Sequence, residues 1–380
     1  MDLLDVGRIL AGLVLLVLGG ELLVRGASAL ARRVGISSLV VGLTVVSAAT
    51  SAPELAVSVG AVLRGEPGLA VGNVVGSNIA NVLLILGLSA LVLPLVVKQR
   101  LVRIDLPWMV GLSIGLLLVS LDGRIGAVDG LVLLGAVVAH TALTVVLGRR
   151  EAGLAARAVA PDGSPAAPGR AAPAEAGAGR PAPAAGRSLL LVVLGIALLV
   201  AGATLLVEGA VSIATGLGVS GLVVGLTVVA VGTSLPELAT SVIAVRRGER
   251  DLAVGNVVGS NIVNIGVVLG LPALLSGRGI PVSGAAAALD IPVMLAASVA
   301  LLPVAFTGFA VARWEGGLFV GLYLAYTGYV VLAATAHDAL AGFTAVMAWF
   351  VLPLLAVTLV AFTAFELGVR RGRREVRRRP

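Results

Sequence analysis

Two glutamates, Glu54 and Glu237, lie inside long apolar stretches and carry the clearest chemical signal in the sequence. Hydroxyl side chains precede each of them at helical spacing, namely Ser47, Thr50 and Ser51 before the first and Thr233 and Ser234 before the second. Residues three, four and seven apart share one face of a helix. A charged side chain within an apolar span costs a few kcal/mol unless it is paired or solvated. Carboxylate and hydroxyl oxygens are ligands for hard cations, so the pattern predicts a cation site.

The next apolar stretch in each case carries amides and one more hydroxyl at the same spacing. The residues are Asn73, Ser77 and Asn81, and then Asn256, Ser260 and Asn264. All of these side chains bear oxygen, and neither glutamate has a Lys or Arg within its own apolar stretch. Two carboxylates would neutralise one calcium ion, and several sodium ions or protons would have to replace calcium when it leaves.

A proline lies next to each glutamate and predicts a bend in each helix. Pro53 and Pro236 have no N–H, so the carbonyls of Ala49 and Gly232 lose their helical partners. Broken helices are tolerated at membrane depth where they line a cavity or bind an ion. A matched pair of such breaks is a pointer to a transport site.

The composition shows what kind of protein must position these groups. Of 380 residues, 58% are hydrophobic and only 12% are charged, with a mean hydropathy of +1.09, which is typical of a polytopic membrane protein. No length remains for an appended catalytic domain, so we expect no enzyme and no cofactor. The absence of cysteine excludes disulfides and thiolate metal sites. The basic residues lie between apolar runs, which argues against nucleic-acid binding.

Apolar runs predict eleven membrane-spanning helices, which makes the fold all-α. The predicted spans are 7–31, 34–63, 68–95, 104–121, 126–147, 188–215, 218–245, 251–276, 285–307, 315–335 and 340–368. Residues 148–187 are rich in Ala, Pro, Gly and Arg and are predicted to be a disordered cytoplasmic linker. With the amino terminus outside, 23 of the 27 Lys and Arg residues fall on the cytoplasmic side, and seven of these 23 lie in the basic tail 369–380.

An internal repeat divides the chain into two units. Residues 42–81 and 225–264 are identical at 30 of 40 positions. Residues 1–147 and 188–336 are therefore predicted to be homologous five-helix units, with 337–368 as an extra helix. Because each unit has an odd number of spans, the second must enter the membrane in the opposite orientation. This inverted-topology repeat is typical of secondary transporters.

The repeated motifs resemble those of a known family. The segments GTSLPE at 232–237, ATSAPE at 49–54, and GNVVGSNI at both 72–79 and 255–262 are similar to the repeat signatures of the cation/calcium antiporter superfamily. The prokaryotic sodium/calcium exchanger branch fits best, over residues 1–336. The proton-coupled branch typically carries an acid in this second motif, at positions that are glycine here, Gly76 and Gly259.

The resemblance implies a ten-helix core in which predicted spans 2, 3, 7 and 8 hold the ions while spans 1 and 6 slide across them. The implied central ligands are Glu54, Glu237, Thr50 and Thr233, with Asn81 and Asn264 beside them. The implied sodium ligands are Ser51, Ser77, Ser234 and Ser260, with the backbone carbonyls of Ser47 and Ala230. The chain departs from many exchangers at Asn81 and Asn264, because those proteins have an aspartate at one of the two positions.

The predicted function is exchange of calcium for sodium by alternating access in the inner membrane, with a monomer sufficient for transport. A proton-coupled antiporter of calcium or another divalent cation is the first alternative, since two carboxylates can carry protons instead of sodium. A passive cation channel is an alternative of another class. Among other polar residues, Asp105 and Asp290 are expected to complement helix dipoles at helix starts, and His140 to be packed or interfacial.

Overall fold

The computed structural model describes residues 3–158, 185–218, 230–306 and 308–354, with 356–358, 360 and 364. Its helices in the first half are α1 (Leu3–Val34), α2 (Ser38–Thr50), α3 (Ala52–Leu63), α4 (Gly68–Val92), α5 (Leu101–Val119) and α6 (Ala127–Ala158). Those in the second half are α7 (Ala185–Gly216), α8 (Ala230–Gly232), α9 (Leu235–Arg246), α10 (Arg250–Leu275), α11 (Ala286–Phe306), α12 (Arg313–Ala334) and α13 (Ala339–Val346). The all-α polytopic fold class is confirmed.

Within the described part of the chain, nine helices are long and apolar enough to cross a membrane, and the bent pair α2 and α3 makes a tenth span. The last of the nine continues beyond α13 to Thr358. Much of the seventh predicted span, residues 219–229, lies outside the described residues. The count of eleven therefore stays a prediction.

The predicted linker differs from the structure at both ends. Helix α6 continues to Ala158 and α7 begins at Ala185, so helical structure extends into both ends of the predicted segment 148–187, and the linker itself stays a prediction. The segment that follows Gly148, RREAGLAARA, consists mostly of Arg, Glu, Ala and Leu, which are strong helix formers. Residues 159–184 lie outside the described part of the chain.

The span that carries Glu54 is broken where the sequence predicts. Helices α2 and α3 meet at Ser51, whose φ of −81° and ψ of 5° leave the helical region, and the two axes differ by 41°. Pro53 lies directly after the break, in the first turn of α3, where the helix that begins there tolerates its missing N–H. The equivalent break between α8 and α9 falls at Ser234, with φ −91° and ψ 7°, and Pro236 follows it.

Wider π-helical turns interrupt the neighbouring helices at equivalent places. One covers Ala80–Ile85 in α4 and another covers Asn264–Leu269 in α10. A second pair opens α5 at Leu101–Asp105 and α11 at Ala286–Asp290. Single π turns occur at functional sites in many proteins. Here the first pair of π turns contains the two asparagines that the resemblance names as ligands, Asn81 and Asn264.

Helices α1 and α7 pack antiparallel, and a row of glycines lets their backbones touch. A Cβ atom added at Gly12 would lie 2.7 Å from the carbonyl oxygen of Gly202, and one at Gly19 would lie 2.7 Å from the backbone nitrogen of Leu199. At Gly26 the distance to the carbonyl oxygen of Ser188 would be 2.8 Å. These distances are too short for any larger residue. The glycines repeat every seven residues and form one continuous seam.

The two halves interlock around a shared core. Helix α10 packs on α2, α6 packs on α10, and α12 packs on α4. Two short antiparallel sheets also join the halves, β1 (Leu95–Val96) with β4 (Ala310–Val311) and β2 (Arg124–Ile125) with β3 (Ile280–Pro281). The broken helices and the π turns therefore meet where the halves meet. The inverted relation of the halves stays a prediction.

Candidate cation site

The two glutamates occupy equivalent, fully buried positions. Glu54 lies in the first turn of α3 and Glu237 in the first turn of α9, and neither side chain is exposed. The N-terminal end of a helix favours negative charge. Among the described residues, neither glutamate forms an ion pair with Lys or Arg. Their charge has to be balanced by something else that enters the site.

The serines at the two breaks connect each glutamate to the opposite half. Ser51 Oγ donates a hydrogen bond to Glu237 Oε1 at 3.3 Å, and Ser234 Oγ donates one to Glu54 Oε1 at 3.4 Å. Each serine is three residues before the glutamate of its own half. This crossing brings the two carboxylates to one place, where they repel one another when both are charged.

Four buried carboxylate and amide oxygens of this region have no hydrogen-bond donor in the described structure. They are Glu54 Oε2, Glu237 Oε2, Asn81 Oδ1 and Asn264 Oδ1. The elements that carry them are in contact, because α3 packs on the π turn of α10 and α9 packs on that of α4. Buried acceptors without a partner are rare and costly in proteins. Cations are the kind of partner that such acceptor oxygens lack.

The charge of the site comes from only two carboxylates. Among the described residues, no group of three or more His, Cys, Asp or Glu side chains is clustered as for a metal ion. Any cation bound between Glu54 and Glu237 must therefore take its other ligands from neutral oxygens. Such an all-oxygen set suits calcium and sodium and does not suit softer transition metals.

Two further asparagines, which the sequence did not single out as ligands, brace the broken helices. Asn256 Oδ1 accepts a hydrogen bond from Thr50 Oγ1 at 3.2 Å. In the first half, Asn73 Nδ2 donates to the backbone carbonyl of Glu54 at 3.0 Å and to Ser58 Oγ at 3.0 Å. Both asparagines belong to the repeated GNVVGSNI motif, so the repeat was the signal that could have found them.

The remaining predicted ligands lie in the same region with different partners. Ser47 is buried, and its carbonyl already accepts hydrogen bonds from Thr50 Oγ1 at 3.4 Å and from the Ser51 N–H at 3.0 Å. Ser77 donates to the carbonyl of Val74 and accepts from Asn264 Nδ2 at 3.1 Å.

The other three predicted ligands are Ser260, Thr233 and Ala230. Ser260 Oγ is buried and has no partner within the described structure. Thr233 is half-buried at the second break, and Ala230 begins α8. The roles of these residues as sodium ligands stay predictions.

Asp105 does not have the role that the sequence suggested. It lies in the π turn of α5, is fully buried, and its Oδ1 is 3.0 Å from His140 Nε2 of α6. Thr144 Oγ1 lies 3.4 Å from the same oxygen. The prediction that this acid only complements a helix start is wrong, because α5 begins four residues before Asp105. Packing of His140, which is 1% exposed, is confirmed.

Comparison with known proteins shows which family the chain resembles. The sequence profile of the family described as sodium/calcium exchanger protein matches residues 5–146 and 187–332. The chain is 39% identical to the inner membrane protein YrbG of Escherichia coli (strain K12) over 274 residues, which are 72% of this chain and 81% of YrbG. It is 34% identical to the sodium/calcium exchanger MaX1 of Methanosarcina acetivorans, over 84% of this chain and 96% of MaX1.

Solved structures show the same likeness. A structure of the sodium-calcium exchanger NCX_Mj superposes with a TM-score of 0.70 at 32% identity, covering 88% of this chain and 99% of that one. MaX1 and NCX_Mj are named as exchangers, which are transporters rather than enzymes. Since the family profile covers most of the chain in both halves and the fold agrees, the chain belongs to the sodium/calcium exchanger family of cation antiporters.

Proposed function

We propose that this protein exchanges calcium for sodium across the inner membrane through the site between Glu54 and Glu237. The observation that carries the proposal is the set of four buried acceptor oxygens without donors, two from carboxylates and two from amides. One calcium ion would cancel the charge of the two glutamates. Sodium ions would do the same in the other half of the cycle.

Exchange rather than leakage follows from the electrostatics of the empty site. Two buried carboxylates without a counter-charge are strongly unfavourable, so the empty protein has a high barrier to changing its opening. Bound cations remove that barrier. A ligand shifts a conformational equilibrium only if it binds the two states with unequal affinity. In the proposed cycle, the protein changes from one opening to the other when either calcium or sodium is bound.

The family assignments enter this proposal as follows. Glu54, Glu237, Thr50 and Thr233 hold calcium, and Asn81 and Asn264 lie beside them. Sodium uses Ser51, Ser77, Ser234 and Ser260 with the backbone carbonyls of Ser47 and Ala230. The amino terminus is outside and the carboxyl terminus is in the cytoplasm, in keeping with the distribution of basic residues.

One observation supports a proton-coupled alternative. Among the described residues, the site has only two acidic side chains, and both amides take positions where an additional acid would increase the charge available for sodium. Two protons would neutralise the two glutamates as well as two sodium ions. The driving ion therefore has to be measured.

The decisive experiment is calcium-45 uptake into vesicles that contain the purified protein. Sodium-loaded vesicles are diluted into sodium-free buffer at equal pH, and a second set receives a proton gradient alone. We expect rapid uptake only with the outward sodium gradient, and none with Glu54→Gln. Uptake driven by protons alone would establish the proton-coupled alternative, and calcium flux without either gradient would indicate a channel.

A further inference from the structure

Two asparagines outside the implied ligand set, Asn78 and Asn261, lie directly behind the site. Both are 1% exposed, and they are equivalent positions of the repeated motif. Each one contacts the implied ligand asparagine of the opposite half. They touch neither Glu54 nor Glu237 in any hydrogen bond of the described residues.

Their side-chain oxygens receive the amide hydrogens of the ligand asparagines. Asn81 Nδ2 donates to Asn261 Oδ1 at 3.0 Å, and Asn264 Nδ2 donates to Asn78 Oδ1 at 3.1 Å. In consequence, Asn81 Oδ1 and Asn264 Oδ1 are the ends of the two amides that remain without a partner. A carboxamide has one acceptor end and one donor end, so holding the donor end decides what the other end offers.

Two methionine sulfurs fix the second pair of asparagines in turn. Asn261 Nδ2 lies 3.5 Å from Met109 Sδ of α5, and Asn78 Nδ2 lies 3.6 Å from Met294 Sδ of α11. Asn78 Nδ2 also donates to the backbone carbonyl of Asn261 at 3.3 Å. A thioether sulfur is an acceptor only, so it keeps the N–H₂ group of each asparagine turned towards it and the oxygen turned towards the site.

We propose that Asn78 and Asn261 are positioning residues that orient the amides of Asn264 and Asn81 so that carbonyl oxygens, and not N–H₂ groups, face the transported cation. The proposal rests on the proposed function of the site. An amide rotated by half a turn would place two partly positive hydrogens beside a calcium ion. Groups that orient a metal's ligands typically change its affinity by roughly 10–100-fold when they are removed.

Asn78 and Asn261 differ in whether the amide that each one holds has a second acceptor. Asn264 Nδ2 has a second acceptor, Ser77 Oγ at 3.1 Å, which would still hold its amide without Asn78. Asn81 Nδ2 forms one hydrogen bond in the described structure, and its acceptor is Asn261 Oδ1. Loss of Asn261 should therefore weaken calcium binding more than loss of Asn78.

The test measures the calcium concentration for half-maximal sodium-dependent uptake, and separately the rise in unfolding temperature that calcium causes in detergent. For Asn261→Leu we expect the half-maximal concentration to rise by roughly 10-fold or more with the maximal rate retained, and for Asn78→Leu by a smaller factor. Met109→Leu conserves volume and removes the sulfur acceptor, so it should fold and show a rise of the same sign.

A double substitution separates orientation from general packing. If Asn261 acts through Asn81, then Asn261→Leu will change the half-maximal concentration no further in an Asn81→Ala background. A full additional change there would overturn the proposal, and so would unchanged calcium dependence in both Asn261→Leu and Met109→Leu. Ser113→Ala removes a buried hydroxyl one turn beyond Met109 and is the matched control, with no change expected.

The same measurements separate this inference from the proposed function. Calcium binding by the unaltered protein raises its unfolding temperature, and the rise increases with the affinity. If neither calcium nor sodium has that effect, the proposed function itself is wrong. If calcium stabilises the unaltered protein and the leucine variants equally, only the positioning role is wrong.

Discussion

The two halves match more closely at the candidate site, here called the inner part, than around Asp105 and Asp290, here called the outer part. At the site, the contacts are duplicated, since the Ser51–Glu237 and Ser234–Glu54 hydrogen bonds measure 3.3 and 3.4 Å. Farther out, Asp105 of the first half lies against His140 at 3.0 Å. Its counterpart Asp290 instead accepts a hydrogen bond from Tyr326 at 2.9 Å.

This contrast teaches which parts are constrained by transport. In the proposed cycle, the site opens to each side of the membrane in turn, so both halves must offer equivalent ligands. Asp105 and Asp290 form no hydrogen bond with an implied ligand in the described structure, so this requirement does not apply to them. A buried acid there can take any suitable donor, and the two halves have taken different ones.

The largest predicted effect concerns the duplicated part. Glu54→Gln and Glu237→Gln each remove one of the two negative charges that balance calcium, so each should reduce sodium-dependent calcium uptake to background. Transport by reconstituted variants measures this, with folding checked by gel filtration. Glu21→Gln, at a surface ion pair, is the charge-matched control. Normal uptake by either site variant would contradict the equivalence of the halves.

A smaller effect is expected in the outer part, where the halves should respond unequally. His140→Leu leaves the fully buried Asp105 without its nearest partner, which typically costs about 3 kcal/mol. Tyr326→Phe removes one hydrogen bond from the half-buried Asp290 and should cost about 1 kcal/mol. Unfolding temperatures of the purified variants in detergent would compare the two. Equal losses would show that the outer contacts are as equivalent as the inner ones.

The smallest effect is expected at the surface. Arg247 pairs with Glu21 of α1, with Nε 2.6 Å from Oε2, and both side chains are about one-third exposed. Arg247→Gln should lower stability by less than about 1 kcal/mol, and the difference should shrink in high salt. Arg64 is its sequence counterpart and has no ion pair in the described part of the chain, so Arg64→Gln should change nothing. A large loss for Arg247→Gln at high salt would point to a role beyond this surface pair.

Much of the site was predictable because its signals are local. The spacing from Ser51 to Glu54 and the adjacent Pro53 predicted a polar face and a bend, and the structure has both. The repeat predicted that the second half would present the same groups. Helical periodicity and the missing N–H of proline act within one turn, so the amino-acid sequence reports them directly.

What the sequence did not reveal depends on contacts between distant segments. Asn78 and Asn261 are one position from predicted ligands, yet their partners Met294 and Met109 are more than 150 residues away along the chain. The pairing of Asp105 with His140 likewise joins two helices. The π turns were missed because they change the number of residues per turn without any marker such as proline.

The glycine seam between α1 and α7 has a mechanical consequence. One helix belongs to each half, and their backbones touch at every second turn from Gly12 to Gly26. A displacement of one helix along the other by less than a full repeat would drive branched side chains into the gaps that the glycines leave. In the proposed cycle, the two helices therefore move together as one unit, so that the access routes on the two sides of the membrane open in turn.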